Sequence, residues 1–242
     1  MELVIDIGNT RAKAALFINN GIHKVFNSEH ADQILLDEIK PYKIRSIIIS
    51  SVRQLDEDLI QTWRAVAPLI VLDHKTPLPI HNAYKTPETL GKDRIAAVVG
   101  GRFLFSEGPV LCIDAGTCIT YDVLTEKNVY LGGNISPGIH LRYRAMDEFT
   151  DALPLVDELE VDNLYGQSTV DSMATGVITG MSAEIDGMIH RYQEEFPGIQ
   201  TVICGGDARY FVNNVKKKIF ANRNLVLLGL HKILIFNERN HT

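Results

Sequence analysis

With 242 residues, 45% of them hydrophobic, the chain is long enough for one large domain or two ordinary ones with real cores. A formal net charge of −6, with no basic stripe beyond Lys216–Lys218, argues against a general nucleic-acid binder, and those lysines are expected at the solvated end of a helix. Cys112, Cys118 and Cys204 lie apart in apolar stretches without Cys-x-x-Cys spacing, the histidines show no metal-type pairing, Asp6 breaks the first apolar run too early for a signal peptide, and no run reaches the ~18 residues of a spanning helix. The expectation is a soluble cytoplasmic protein with reduced thiols and neither nucleic-acid nor membrane partners.

The chain opens on Leu-Val-Ile-Asp-Ile-Gly-Asn-Thr, residues 3–10. The apolar run suits a buried strand that stops near Asp6, and residues 11–18 alternate loosely as a second strand. Asp6 is then expected at the tip of a hairpin, with Gly8, Asn9 and Thr10 in the turn and Lys13 nearby. Such a turn offers backbone N–H groups and a hydroxyl to phosphate oxygens, and its carboxylate can hold a divalent cation through water. A solvent-facing hairpin with polar turn residues is the alternative.

Asn19, Asn20 and Gly21 mark the next turn, followed by a third strand around His23–Phe26. Residues 29–39 carry apolar side chains at helical spacing and end at Pro41. Ser46–Val52 reads as a buried parallel strand, Leu55–Val66 as a helix and Leu69–Leu72 as a short strand. This β-β-β-α-β-α-β run belongs to the α/β class and has the order of a ribonuclease-H-like half. An irregular stretch, 76–90, leads to Gly91-Lys92-Asp93-Arg94, which opens a predicted helix at Ile95–Phe105. An acid at a helix start has a structural reading, through the helix dipole and a pairing with Arg94. Its functional reading is a general base beside a substrate-binding cation.

Residues 110–117, Val-Leu-Cys-Ile-Asp-Ala-Gly-Thr, repeat the first turn's order: apolar strand, Asp, small residue, Gly, hydroxyl, second strand. Asp6 and Asp114 lie close to half the chain length apart, the mark of a duplicated domain with one phosphate-gripping turn per half. The expected fold is therefore α/β, two ribonuclease-H-like domains, 1–107 and 108–242, of the actin, sugar-kinase and heat-shock-ATPase type, with a nucleotide held in the cleft between them. In Tyr130–Gly138, glycines at 132, 133 and 138 let a backbone pass close to a ligand, and a glycine-rich bend between strand and helix is the plain alternative. Helices are expected at His140–Ala152 and at Ser168–Tyr192, the second a candidate subunit contact through Gly176 and Gly180. Thr201–Cys204 is a strand, Gly205-Gly206-Asp207 a turn that either admits an adenine ring or merely links strand to helix, and Leu225–Phe236 an apolar helix covering the sheet.

Seven segments together resemble the type III pantothenate kinases, in order and over nearly the whole chain. They are Asp-Ile-Gly-Asn-Thr-Arg-Ala-Lys (6–13), Tyr84 ahead of Pro87, Leu-Gly-Lys-Asp-Arg (90–94), Asp-Ala-Gly-Thr (114–117), Gly-Gly-Asn-Ile-Ser-Pro-Gly (132–138), Ser-Thr-Val-Asp-Ser-Met-Ala-Thr-Gly (168–176) and Gly-Gly-Asp (205–207). Gly-Lys-Asp-Arg between two Asp-x-Gly turns is the most specific of them. The resemblance implies ATP-dependent phosphorylation of pantothenate to 4′-phosphopantothenate, the first step of coenzyme A biosynthesis, with Mg²⁺. It implies ATP phosphates on Asp6, Ile7, Gly8, Asn9, Thr10, Arg11, Ala12 and Lys13, an ATP contact at Thr117, and Asp93 as base. It also implies pantothenate on Tyr84, Gly91, Lys92, Asp93, Arg94 and Thr169, K⁺ or NH₄⁺ on Asp114, and a homodimer. Ser168 stands where Asn is frequent, and Cys118 and Ser172-Met173-Ala174 also depart from the commoner pattern; none removes an assigned group. Two rivals share parts of this pattern: another small-alcohol or sugar kinase, and a nucleotide-dependent regulatory protein without catalysis.

Overall fold

The computed structural model describes residues 1–8, 12–28, 34–157, 160–161 and 163–240. Strands β1 (Glu2–Ile7) and β2 (Ala12–Ile18) pair antiparallel, and β2 turns into β3 (Gly21–Ser28) through Asn19 and Asn20. Both asparagines have positive φ, 50° and 66°, as a two-residue hairpin turn twisted to match its strands requires. After α1 (Ile34–Ile39), β4 (Ser46–Ser51) returns parallel to β1. All six residues of β4 are buried, as a parallel strand covered on both faces must be. Helix α2 (Glu57–Val66) starts on Asp56, whose carboxylate accepts the Asp58 N–H at 3.1 Å, and seats Trp63 on Leu3, Ile5, Ile47 and Ile49. With β5 (Leu69–Val71) the first sheet has the order β3-β2-β1-β4-β5.

The stretch expected to be irregular holds a two-residue strand, β6 (His81–Asn82), and a short 3₁₀ turn at Pro87–Thr89. Helix α3 (Lys92–Leu104) begins three residues before the predicted start. Then β7 (Val110–Ala115) and β8 (Cys118–Leu124) form the second hairpin, followed by β9 (Val129–Pro137). The glycine-rich segment is therefore a strand, not a bend. Gly133 is the reason it can lie there, since a Cβ would stand 1.8 Å from the Tyr121 carbonyl oxygen. Helix α4 (Ile139–Glu148) stops short of the predicted Ala152, and α5 (Thr169–Glu195) supplies the second core with Met173, Val177, Met181 and Ile185. Next come β10 (Gln200–Cys204), the short α6 (Ala208–Phe211) and β11 (Phe220–Ala221). Lys216–Lys218 are not on a helix. They lie in the bend after α6, where the Asp186 carboxylate accepts the N–H groups of Lys216 and Lys217 at 3.0 and 3.1 Å.

Read from its far edge, the second sheet runs β9-β8-β7-β10-β11, the same connection order as the first, with β6 paired to the opening residues of β9. By contact the residues form two units, 1–106 with 128–131 and 224–242, and 107–127 with 132–223. A division at 107/108 places the last helix, α7 (Leu225–Asn240), in the second half, whereas its packing is with the first unit. It lies on α3 and on β1, β2 and β4, and His231 stacks on Phe17 at 4.0 Å between ring centroids. Trp63 covers one face of the sheet, so α7 covers the alternate face that carries Val4, Phe17 and Ile48, all fully buried. Two glycines set the helix contact: a Cβ on Gly100 would stand 2.3 Å from Leu225 O, and one on Gly229 1.8 Å from Ala96 O.

Candidate active site

In the first unit the site grows from the ends of two central strands. Asp6 faces Lys13 across the β1–β2 pair and Ser50 across β1–β4, so the three side chains leave the same face of the sheet. Ile7 and Ala12 are buried and Gly8 and Lys13 half-buried; Asn9, Thr10 and Arg11 lie outside the described residues. Ile7 is paired with Ser51, and the Val52 N–H donates to Ile7 O at 3.1 Å. Lys92, in the first turn of α3, donates from Nζ to Ser51 O at 3.2 Å. The beginning of α3 is thereby tied to the carboxyl ends of β1 and β4, the edge at which open α/β sheets bind ligands.

Gly91 caps α3 without a side-chain bond, and a Cβ there would stand 2.5 Å from Asp93 Oδ1 and displace that carboxylate. That oxygen accepts the Arg94 N–H at 2.8 Å, which orients the half-buried carboxylate. Arg94 is only 6% exposed, and its guanidinium carbon lies 5.7 Å from the centre of the Tyr84 ring. Tyr84 in turn stacks on the fully buried Tyr130, with centroids 6.0 Å apart, and its N–H donates to Asn82 Oδ1 at 3.0 Å. Tyr84, Lys92, Asp93 and Arg94 are thus one assembly. Asn82, Tyr130 and Ser51 support it and escaped the sequence reading. Tyr130 is signalled only by standing before Gly132-Gly133, while Ser51 and Asn82 carry no sequence signal of their role.

In the second unit Asp114 is the next-to-last residue of β7, opposite Thr120 and beside Cys204. The turn after it is held by backbone from three sides: Gly116 N–H to Cys118 O at 3.0 Å, Gly138 N–H to Thr117 O at 3.1 Å and Asp207 N–H to Ala115 O at 3.0 Å. Gly205, at φ +95°, packs so closely that a Cβ would stand 2.1 Å from Ala115 O and 2.5 Å from Asp114 Oδ1. Of the glycine pair it is Gly205 that the fold requires, since Gly206 faces open space. Thr117 is exposed, and so is Thr169, at the first position of α5, after Ser168, whose Oγ caps the helix through the Asp171 N–H at 3.1 Å.

Among the described residues no three His, Cys, Asp or Glu side chains gather as a metal cage. The donors offered are single carboxylates and carbonyl oxygens at strand ends. That set suits a hard cation that keeps waters and takes its remaining ligands from phosphate, and does not suit zinc.

The family model described as type III pantothenate kinase matches residues 2–191. A type III pantothenate kinase from Phocaeicola vulgatus is 43% identical over 99% of this chain and 100% of its own length. The chain belongs to the type III pantothenate kinase family. Type III pantothenate kinases are phosphotransferases that use ATP to phosphorylate pantothenate in coenzyme A biosynthesis. The fold is that of duplicated ribonuclease-H-like ATPases and sugar kinases. An activator of 2-hydroxyisocaproyl-CoA dehydratase from Clostridium difficile with bound ADPNP superimposes at a TM-score of 0.58 with 14% identity, covering 99% of this chain and 97% of that one. A ROK family glucokinase from Streptomyces griseus, in complex with glucose and AMPPNP, does so at 0.53 with 12% identity, covering 95% and 97%.

Proposed function

We propose that this type III pantothenate kinase transfers the γ-phosphoryl group of ATP to the primary alcohol of pantothenate with Asp93 as general base. The supporting observation is that Lys92 ties the start of α3, and with it Asp93, to the strand end where Asp6 and Lys13 face one another. Phosphoryl transfer asks mainly for positioning and charge neutralisation. The alcohol oxygen attacks the γ-phosphorus in line, its proton passes to the Asp93 carboxylate, and ADP leaves. Asp6, Ile7, Gly8, Ala12 and Lys13, together with Asn9, Thr10 and Arg11, are assigned to the ATP phosphates, and Thr117 to ATP. Mg²⁺, held through water by the Asp6 carboxylate, would supply charge neutralisation for the phosphates.

Tyr84, Gly91, Lys92, Arg94 and Thr169 are assigned to pantothenate. Arg94, fixed over the Tyr84 ring, presents a guanidinium suited to the carboxylate end of the substrate. Asp114 is assigned to a monovalent cation, K⁺ or NH₄⁺. The working form is a cytoplasmic homodimer in which α5 takes part. Among the described residues no helix is long and apolar enough to cross a membrane.

The deciding assay follows ADP release as pantothenate, Mg²⁺-ATP and K⁺ are each supplied and withheld. Turnover that requires pantothenate and rises with K⁺ is expected. Equal turnover with an unrelated alcohol, or none with all three present, defeats the proposal.

A further inference from the structure

The second turn rests on a clamp that the assignments above do not use. Arg142 of α4 donates from Nε to Pro137 O at 2.9 Å and from Nη2 to Ser136 Oγ at 3.1 Å. The same Nη2 meets Glu184 Oε2 of α5, and Glu184 Oε1 accepts the Tyr121 hydroxyl at 3.0 Å. Tyr121 is fully buried, and burial beside Glu184 raises its phenol above the usual tyrosine range, so it remains a donor. The ion pair is itself about three-quarters buried, its side chains 24% and 26% exposed. By contrast, Lys40 and Asp37 pair with side chains 74% and 76% exposed, where little is gained. A pair at this depth, with both partners bonded onward, fixes geometry, and removal of one member leaves the other charge uncompensated.

What the clamp fixes is the end of β9. The residue after Pro137 is Gly138, whose N–H holds Thr117 O and whose Cα lies so near the turn that a Cβ would stand 2.2 Å from Gly116 O. Gly116 in turn neighbours Asp114 Oδ1, at 3.6 Å from the position its own Cβ would take. The path runs Glu184, Arg142, Ser136–Pro137, Gly138, Gly116–Thr117, Asp114. We propose that Arg142 and Glu184 are positioning residues for the second turn, setting Thr117 for ATP and Asp114 for the monovalent cation. This rests on those two assignments.

The test uses the full chain with Arg142→Met, Glu184→Gln and Arg142→Lys. Calorimetry measures the affinity for a non-hydrolysable ATP analogue across a K⁺ titration, beside the unfolding midpoint and the KM for each substrate. Arg142→Met and Glu184→Gln are expected to weaken analogue binding and raise the K⁺ midpoint about tenfold, the usual scale for an outer-shell partner, with the KM for pantothenate unchanged. Arg142→Lys keeps the charge but lacks the fork that reaches Pro137 O from Nε and Ser136 Oγ from Nη2, and falls between. If Arg142→Met does not fold, the isosteric Glu184→Gln carries the comparison. Parental affinity and K⁺ midpoint in a folded variant overturn the proposal, as does an equal loss for ATP and pantothenate. Asp114→Asn separates the two levels. A K⁺ response that survives in it defeats the cation assignment, whereas a response lost there but parental in Arg142→Met and Glu184→Gln defeats the clamp alone.

Discussion

Asp93 is oriented by a neighbour's N–H and rests above a glycine, so changing its carboxylate to an amide alters acidity with little change of shape. Asp93→Asn is expected to lower kcat by about 10²–10⁴-fold, the usual contribution of a general base, with an unchanged unfolding midpoint; near-parental turnover removes Asp93 from the role. His231 makes a different prediction at the same scale. It is fully buried against Phe17, with Lys232 next to it, Glu2 Oε2 at 3.7 Å and Arg45 bridging Glu2 and Glu238. Burial, aided by Lys232, lowers its pKa from 6.5 to about 4. The unfolded chain therefore binds a proton here before the native one does. The stability tied to the neutral ring is fully present above pH 6.5 and is lost as pH falls toward 4. His231→Leu is expected to flatten the fall in unfolding midpoint between those values, and a parental pH profile in that variant counts against it.

Helix α3 joins residue to element, because it carries Asp93 and Arg94 and is located by its crossing with α7. Gly229→Ala drives a methyl into Ala96 O and is expected to cost about 1–3 kcal/mol, the range for overpacking, and to lower kcat as α3 shifts. Denaturant unfolding and turnover check the two halves of that statement, and a stable variant with reduced turnover still supports the coupling. Gly205→Ala combines a left-handed backbone with a clash on Ala115 O and is expected to destabilise by at least as much. Such contacts also show where sequence reading works. The strand read at Ser46–Val52 was legible because Ile47, Ile48 and Ile49 in succession suit a strand buried on both faces, and the turn pair at Asp6 and Asp114 because a repeat is visible without coordinates. The early start of α3 was hidden because Gly91 caps it with no side-chain signature, and β9 because glycines read as a bend until Tyr121 is seen against Gly133. Asp93, Arg94 and Tyr84 were legible from their motif. The buried Tyr130 beneath Tyr84 and the Ser51 carbonyl that anchors Lys92 were not, since they act through space across long sequence separations.

At the scale of the molecule, one strand order is built twice and each copy is closed differently. The second sheet is covered by the 27 residues of α5, encoded within the same unit, whereas the first needs α7, encoded after everything in the second unit. Leu225, Leu227, Leu230, Ile233 and Leu234 are all buried. At about 1.5–3 kcal/mol each they contribute roughly 7–15 kcal/mol, comparable to the whole stability of an ordinary domain. A chain ended after Arg223 is expected to collect in the insoluble fraction, and a soluble, cooperatively unfolding product is the outcome against this. The same arrangement orders events during synthesis. The opening hundred or so residues leave the ribosome with a bare oily flank and must wait through the making of the whole second unit before their lid arrives. The half that carries Asp93 is first to be translated and last to mature, so a nascent chain stalled anywhere before α7 is the species most in need of a chaperone.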